Sequence, residues 1–369
     1  MQIALTARIR KSPYYEATRR YGVKVMTVYN HMYMPVIYED LLSDYQHLTN
    51  GVTLWDVAVE RQLAIQGPDA GRFAQYLTCR DISHCQVGQC LYVPLVDERG
   101  GLLNDPILLK LAEDHYWLSL ADYDILLWAR GLNVGLKMDV TLSEPDVAPL
   151  AVQGPMSTAL ITELFGDWVR ELKFFWFRPT DLDGIPLLLA RSGWSKQGGY
   201  ELYLQDGSRG VELWDRIFAA GEKYGIRPGA PHGIERIESG LLNFGHDLLP
   251  DMNPWEAGLD AYVQPEMAAE FAGKAALQRI QAEGIRRKLV AVEIDGDELP
   301  VNDQIWPVVG YSFAEARLTS HTWSPRFGKN IGLALLPIDL TAPRQQVHVM
   351  TAEGERVATV VPLPFEADY

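Results

Sequence analysis

An internal repeat is the feature that most limits the folds open to this chain of 369 residues. The hexapeptide LAIQGP at residues 63–68 returns as LAVQGP at residues 150–155, with five of six positions identical. In each copy an apolar run typical of a strand meets Gly-Pro and then a helical pattern, and proline fits the first turn of a helix. Each copy therefore predicts a strand, a tight turn and a helix.

A second match follows the first at a similar separation. Residues 99–111 (RGGLLNDPILLKL) and 192–204 (SGWSKQGGYELYL) align without gaps and share a glycine and an alternating apolar end. Together the two matches predict two related α+β halves. Chance similarity between glycine-rich hairpins is the alternative explanation.

The character of the chain changes near residue 288. From there onward, short β-like runs such as LVAVEI, NIGLALLP and QQVHVMT alternate with Pro, Gly and Asp turns, which predicts a separate β-barrel or sandwich. The chain is also too long for one typical hydrophobic core. We therefore expect a region at 1–287, with the repeats starting near 63 and 150, and a C-terminal β-domain at 288–369.

Composition excludes several classes of function. A formal net charge of −15 is unsuited to nucleic-acid binding, which needs clustered Lys and Arg. The first twenty residues lack the apolar segment of a signal peptide, and charges interrupt every apolar run before the ~20 residues of a membrane span, so a cytoplasmic protein without a membrane helix is expected. Cys79, Cys85 and Cys90 form no CxxC pair and the histidines are isolated, so no disulfide or metal site is expected.

The most informative candidate site is the turn RSGWSKQGGYE at residues 191–201. It places an aromatic ring and a carboxylate beside glycines, and glycines let a flat ligand approach the main chain. The chain has no nucleophile elbow, P-loop, dinucleotide fingerprint or HExxH motif. The common hydrolase, nucleotide and zinc interpretations therefore lose their usual support.

This turn resembles the RTGYTGEDGFE-type segment of the glycine-cleavage T-proteins, which are tetrahydrofolate-dependent aminomethyltransferases. Further segments match that family in order: the two QGP turns and residues 97–101, 237–241, 245–247, 256–259 and 324–328. The resemblance implies an α+β, three-domain T-protein-like ring around a folate channel. Its parts are two related α+β lobes, interleaved in sequence, and a C-terminal β-barrel or jelly-roll-like domain.

Within that family, residues 29–31, 55–57, 104–106 and 191–200 resemble the dimethylsulfoniopropionate demethylases. Acid pairs of the amine enzymes are replaced by Asn104-Asp105 and Gln197-Gly198. An amine substrate needs proton management, whereas a sulfonium is already an activated leaving group. The resemblance implies direct methyl transfer from dimethylsulfoniopropionate to tetrahydrofolate, giving 5-methyltetrahydrofolate and 3-methylthiopropanoate, without a metal.

Two alternatives remain open at this point. The methyl donor could instead be a methylated amine or betaine, because an aromatic wall accepts either cation. The chain could also be a folate-binding regulatory protein without turnover. The sequence leaves the oligomeric state open, a homodimer included.

The resemblance also implies roles for individual residues near folate. Glu201 matches the glutamate that hydrogen-bonds the amino-pyrimidinone edge of the pterin, and Tyr92 matches a folate-contacting tyrosine. Asp105 matches the acid beside the reacting group, where it could accept a proton or anchor the substrate. The structural alternatives are a strand-edge glutamate, a core tyrosine and an aspartate that caps a turn.

A second set is implied to contact the methyl donor. Trp194 matches an aromatic residue where substrate and folate meet, and ring faces attract a sulfonium by ~0.5–2 kcal/mol. The remaining members of the set are Trp168, Tyr203 and Ser119. For the tryptophans the structural alternative is burial in the core.

Overall fold

The computed structural model describes residues 6–300 and 304–365, so residues 301–303 and 366–369 of the expected domain 288–369 lie outside the described part. Its α-helices are α1 (Tyr15–Arg20), α2 (Leu41–Asn50), α3 (Ala70–Leu77), α4 (Ile125–Leu136), α5 (Ser157–Phe165), α6 (Gly210–Gly221), α7 (Gly233–Glu238) and α8 (Lys274–Glu283). The strands before residue 120 are β1 (Val25–Tyr29), β2 (Met32–Ile37), β3 (Thr53–Asp56), β4 (Gln62–Gln66), β5 (Cys90–Tyr92), β6 (Leu95–Val96), β7 (Leu102–Asn104), β8 (Ile107–Ala112) and β9 (His115–Ser119). The later strands are β10 (Thr141–Ser143), β11 (Ala148–Gln153), β12 (Phe177–Leu182), β13 (Ile185–Ala190), β14 (Gly199–Leu204), β15 (Arg227–Gly229), β16 (Arg287–Ile294), β17 (Trp306–Pro307), β18 (Arg317–Ser324), β19 (Lys329–Pro337), β20 (Gln346–Thr351) and β21 (Gly354–Val361).

The two hexapeptide repeats form the predicted strand, turn and helix. The first copy is β4 followed by α3, and the second is β11 followed by α5. Pro68 and Pro155 lie in the turns, two residues before the helices begin, rather than in the first helical turn. The repeat therefore predicted the order of the elements correctly and missed only where each helix begins.

Two sheets contain these repeats. Their strand orders are β10-β4-β9-β8-β5 and β3-β11-β14-β13-β12, the second continuing beyond β3 to β15. When β4 is placed on β11, each neighbour finds a counterpart, which confirms two related α+β lobes. The lobes are interleaved, because β3 precedes β4 in the chain but belongs to the sheet of β11.

The same correspondence corrects the second sequence match. The sequence match aligned β8 with β14. In the two strand orders, however, β8 is equivalent to β13 and β9 is equivalent to β14. The match was misleading because both segments join a glycine-rich turn to an alternating strand, and alternation is common to every half-buried strand.

Packing divides the six-stranded sheet into two faces. On one face, Leu202 of β14 joins a core with Leu160 of α5 and Trp214 of α6. On the other face, Tyr203 of β14 packs in a second core with Trp117 of β9 from the five-stranded sheet. Side chains alternate along a strand, so odd-numbered residues of β14 face the other sheet and even-numbered residues face the helices.

The C-terminal strands form a barrel, one of the two architectures that the sequence predicted for this β-domain. Their order is β17-β18-β19-β16-β21-β20, with antiparallel pairing throughout. A bridge between Val308 and Val349 joins the β17 edge to β20, which nearly closes the barrel. Its core contains Trp306, Leu318 and Val360 among other apolar side chains.

By contacts the chain forms two compact units. The first comprises residues up to 74, 84–92 and 106–232; the second comprises 75–83, 93–105 and the residues from 233 onward. The barrel begins with β16 at Arg287, but it clusters with residues 233–286 in the second unit. The expected boundary between 287 and 288 stays a prediction. Among the described helices, none has the length and apolarity needed to cross a bilayer.

Gly154, in the turn after β11, should be far less replaceable than an open glycine. It has φ +119°, and a Cβ there would lie 2.5 Å from the carbonyl oxygen of Gly51. Gly184 also has positive φ (+78°), but a Cβ there would meet no atom within 4 Å. Backbone strain and overpacking together predict that Gly154→Ala costs about 2–5 kcal/mol of unfolding free energy, against about 1–2 kcal/mol for Gly184→Ala.

Urea unfolding of both variants beside the parent protein measures this difference. Equal losses in the two variants would contradict the close packing of the repeat turn.

Candidate functional site

A cluster of polar side chains lies between the two sheets of the first unit. We call it the inter-sheet cluster, and its members are Gln62, Ser119, Ser192, Glu201 and Tyr203. Each member is buried. Buried polar groups require hydrogen-bond partners, so the cluster must be ordered by its internal contacts or by a ligand.

Glu201 is the most constrained member. Its carboxylate oxygen Oε2 accepts a hydrogen bond of 2.5 Å from Ser192 Oγ and one of 3.2 Å from Tyr203 Oη. Its register neighbours on the flanking strands are Ala151 and Ala190, which have small side chains. Burial raises the pKa of the Glu201 carboxyl above its ordinary value of 4.5, and the two hydrogen bonds oppose that rise.

Tyr203 and Ser119 extend the cluster to the five-stranded sheet. Their side chains are hydrogen-bonded to each other, and burial, reinforced by the negative charge of Glu201, raises the pKa of the Tyr203 phenol well above 10. Tyr203 is therefore a neutral donor near neutral pH. Ser119 Oγ in turn lies 3.3 Å from Glu60 Oε2 and accepts a hydrogen bond of 2.8 Å from Gln62 Nε2.

Gln62 is a candidate that sequence reasoning missed. Its Nε2 donates to Ser119 and to the carbonyl of Glu60, but its buried Oε1 has no hydrogen-bond partner within residues 6–300 and 304–365. An unsatisfied buried acceptor is costly, so this oxygen suits an N–H donor of a ligand. The available signal was a polar residue at the start of strand β4, directly before three apolar residues.

Two aromatic candidates lie on chain segments next to the cluster. Tyr92 is half-buried and lies on the same face of β5 as Cys90, which belongs to the core between the sheets. Trp194 is half-buried in the loop between β13 and β14. Ser192 connects that loop to Glu201 directly. The structure thus places the Trp194 loop and Tyr203 beside the carboxylate, and Ser119 beside Tyr203. The binding roles assigned to these residues stay predictions.

Trp168 and Asp105 are placed differently. Trp168 lies on the 3-10 helix Asp167–Glu171, where it packs against the core on the helix side and has the Arg178 guanidinium 4.8 Å from its ring centroid. Asp105 is half-buried after β7 and belongs to the second unit, not to that of Glu201. The roles assigned to both residues stay predictions.

The cluster offers binding chemistry more than covalent chemistry. It combines a carboxylate and an amide oxygen as acceptors with hydroxyl donors, which suits a flat heterocycle with an N–H edge. Burial raises the pKa of the neighbouring Cys90 thiol, so that sulfur is a poor nucleophile. The described residues contain no group of three or more His, Cys, Asp or Glu side chains that could hold a metal.

Two related α+β lobes followed by a barrel are the architecture that the sequence resemblance implied. The family model "GCVT N-terminal domain" matches residues 14–267, and "Glycine cleavage T-protein C-terminal barrel domain" matches residues 287–366. The chain belongs to the glycine cleavage T-protein family.

Within that family, the chain is 43% identical to the dimethylsulfoniopropionate demethylase DmdA of Ruegeria pomeroyi, over 96% of each chain. It is 30% identical to an aminomethyltransferase of Caldanaerobacter subterraneus, over 96% of this chain and 95% of that protein. The crystal structure of the glycine cleavage system aminomethyltransferase T from Bartonella henselae superposes with a TM-score of 0.85 at 23% identity, covering 97% of this chain and 98% of that one. At that identity it supports the fold alone.

The buried carboxylate of Glu201 should make the stability of the protein depend on pH. A raised carboxyl pKa contributes stability that is present below 4.5 and is lost as the pH rises through the folded-state pKa. Glu201→Gln removes this titration while keeping an acceptor for Ser192. We expect the variant to gain stability relative to the parent protein as the pH rises from 4.5, and to be the more stable of the two at pH ~8.

Denaturant unfolding at a series of pH values measures the difference between the two proteins. Groups common to both, such as Asp56, whose pKa burial raises to about 6, cancel in that difference. A difference independent of pH would show that Glu201 is not held at a raised pKa.

Proposed function

We propose that the chain transfers a methyl group from dimethylsulfoniopropionate to tetrahydrofolate, giving 3-methylthiopropanoate and 5-methyltetrahydrofolate. The observation that carries this proposal is the 43% identity to the demethylase DmdA over 96% of the chain, against 30% or less for the aminomethyltransferases compared with it. It is a methyltransferase reaction of two small molecules. Direct transfer between them requires no metal.

The inter-sheet cluster fits the pterin of tetrahydrofolate. An ionised Glu201 accepts two N–H donors from an amino-pyrimidinone edge, and the unpartnered Oε1 of Gln62 supplies a further acceptor. Tyr92 offers a ring on the face of the five-stranded sheet that carries Cys90 and the core between the sheets. Tetrahydrofolate supplies the nucleophilic nitrogen N5 that accepts the methyl group.

The aromatic candidates suit the methyl donor. Ring faces attract a sulfonium cation without attacking its methyl groups, so Trp194 would hold the donor without competing for the methyl group. Tyr203 and Ser119 supply hydroxyl groups at the cluster, and Trp168 is proposed as an additional contact. The neutral Gln197-Gly198, where amine enzymes have acids, fits a donor that needs no proton to release its leaving group.

The proposed reaction is one in-line displacement. The bond between sulfur and the methyl carbon breaks, its electron pair stays on sulfur, and a bond from the methyl carbon to nitrogen forms. The nitrogen then loses a proton, which Asp105 would accept unless it anchors the donor instead. The protein contributes chiefly orientation and removal of water, which can supply much of the rate enhancement of a two-substrate reaction.

A turnover assay tests the methyl donor. With purified protein and tetrahydrofolate, we expect 3-methylthiopropanoate and 5-methyltetrahydrofolate from dimethylsulfoniopropionate, and none from dimethylglycine or glycine betaine. Trp194→Ala should lower kcat/KM about twofold to thirtyfold, because it removes ~0.5–2 kcal/mol of attraction between the ring and the cation. Trp194→Phe keeps an aromatic ring, so its kcat/KM should be closer to that of the parent protein. Trp168→Ala tests the additional contact in the same assay.

Trp128, a half-buried tryptophan of α4, provides the matched control, and Trp128→Ala should retain full activity. If only an amine is turned over, the methyl donor is an amine and not a sulfonium, and the family assignment still holds. Equal losses in the Trp128 and Trp194 variants would remove the special role of Trp194.

Tetrahydrofolate binding is a separate prediction. Removing the charge from two hydrogen bonds in Glu201→Gln should weaken the affinity for tetrahydrofolate about tenfold to a hundredfold, because charge-assisted bonds are the stronger ones. Isothermal titration calorimetry measures this affinity without turnover. If the parent protein binds tetrahydrofolate but turns over none of the donors, the chain is better explained as a folate-binding regulatory protein.

A further inference from the structure

The two glutamines of the internal repeat have diverged in their surroundings. Gln66, at the end of β4, is exposed and lies beside the imidazole of His115. Gln153, at the end of β11, is fully buried. The repeat alone gives no reason for this difference, because both glutamines precede the same Gly-Pro turn.

Gln153 holds both ends of the loop that carries Trp194. Its Nε2 donates a hydrogen bond of 3.2 Å to the carbonyl oxygen of Ser192, before the tryptophan. Its Oε1 accepts one of 2.8 Å from Ser195 Oγ, after the tryptophan. One side-chain amide thereby fixes the residues on either side of Trp194.

Two glycines are shaped around this amide. A Cβ on Gly193 would lie 2.0 Å from Gln153 Nε2, and a Cβ on Gly199 would lie 2.2 Å from the same atom. The loop backbone therefore encloses the glutamine side chain as closely as a chain without Cβ atoms allows. The backbone bond of 2.9 Å from Gly154 N to Gly198 O supports the same loop.

The position of Gln153 itself is fixed by the sheet. It is the last residue of β11 and pairs with Thr53 of β3 and Gly199 of β14. Thr53 Oγ1 also donates a hydrogen bond of 3.1 Å to the Gln153 carbonyl. A side chain anchored on a central strand is a rigid support for a loop, whereas loops that support themselves are mobile.

We propose that Gln153 is a positioning residue for Trp194, whose buried amide clamps the loop so that the indole is presented to the methyl donor in one orientation. The proposal rests on the proposed function for its catalytic consequence, and on the contacts of Gln153 for its structural part. Because in-line transfer depends on alignment of the reacting atoms, a loosened indole lowers the fraction of productive complexes. The loss should therefore fall on kcat more than on KM.

Gln153→Met and Gln66→Met make a matched pair, because methionine keeps the side-chain length and removes the amide. Proteins labelled with 5-fluorotryptophan give a fluorine NMR resonance for Trp194, assigned through Trp194→Phe. In Gln153→Met we expect that resonance to broaden or split, amide hydrogen exchange in residues 192–198 to quicken at least tenfold, and kcat to fall about tenfold to a hundredfold. Gln66→Met should change none of these.

Ser195 provides the second test should Gln153→Met fail to fold. Ser195→Ala removes only one end of the clamp and should lower kcat by about threefold to tenfold, while Ser195→Thr keeps the hydroxyl and restores it. Combined with Gln153→Met, Ser195→Ala should add little, since both substitutions break one shared bond.

The possible outcomes distinguish failure of the clamp from failure of the proposed function. An unchanged Trp194 resonance, loop exchange and kcat in Gln153→Met or Ser195→Ala overturns the clamp, even when the melting temperature falls. Absence of turnover in the parent protein sinks the proposed function, whereas the fluorine resonance and hydrogen exchange still decide whether Gln153 orders the loop.

Discussion

Burial of one carboxylate between two sheets is the constraint on which the candidate site depends. An ionised glutamate is costly in an apolar interior unless donors surround it. Here the donors come from two directions: Ser192 from the loop before β14, and Tyr203 from the same strand face. The pKa of the carboxyl stays raised despite them, which indicates that burial outweighs the two hydrogen bonds. A site that tolerates this cost within the protein is suited to a ligand that brings further donors.

Pseudo-symmetry explains how the polar cluster is assembled. Gln66 pairs with His115 across β4 and β9, and Gln153 pairs with Gly199 across β11 and β14. Counting two and four residues onward from His115 and Gly199, Trp117 corresponds to Glu201 and Ser119 to Tyr203. The hydrogen bond between Ser119 and Tyr203 thus joins equivalent positions of the two lobes. Glu201 and its counterpart Trp117, by contrast, differ in chemistry. Between the sheets, one lobe therefore supplies a carboxylate and the other lobe supplies an indole. The same divergence separates the exposed glutamine of the first repeat from the buried glutamine of the second.

The side chains of the inter-sheet cluster are suited to orienting a bound molecule. The donors and acceptors at Glu201, Tyr203 and Gln62 can orient a heterocycle. Orientation is also the main contribution an enzyme can make when both reactants are already activated. A loop held by a buried amide would supply that orientation for the indole, and Gly193 and Gly199 are explained by their close approach to that amide. The proposed clamp makes the glycine-rich turn rigid, although its composition alone suggests flexibility.

Sequence by itself determined the order of elements around each repeat, the presence of a C-terminal β-domain, the related lobes and the family. These depend on local patterns and on motifs that persist along the chain. It also identified Glu201 and the Trp194 loop as candidates. Sequence could not assign β8 to its true counterpart, since alternation looks alike in every half-buried strand. Nor could it find the buried acceptor of Gln62 or distinguish Gln153 from Gln66. Those facts depend on which strand faces meet when two sheets pack, and only the tertiary structure decides that, because the contacting residues are far apart in sequence.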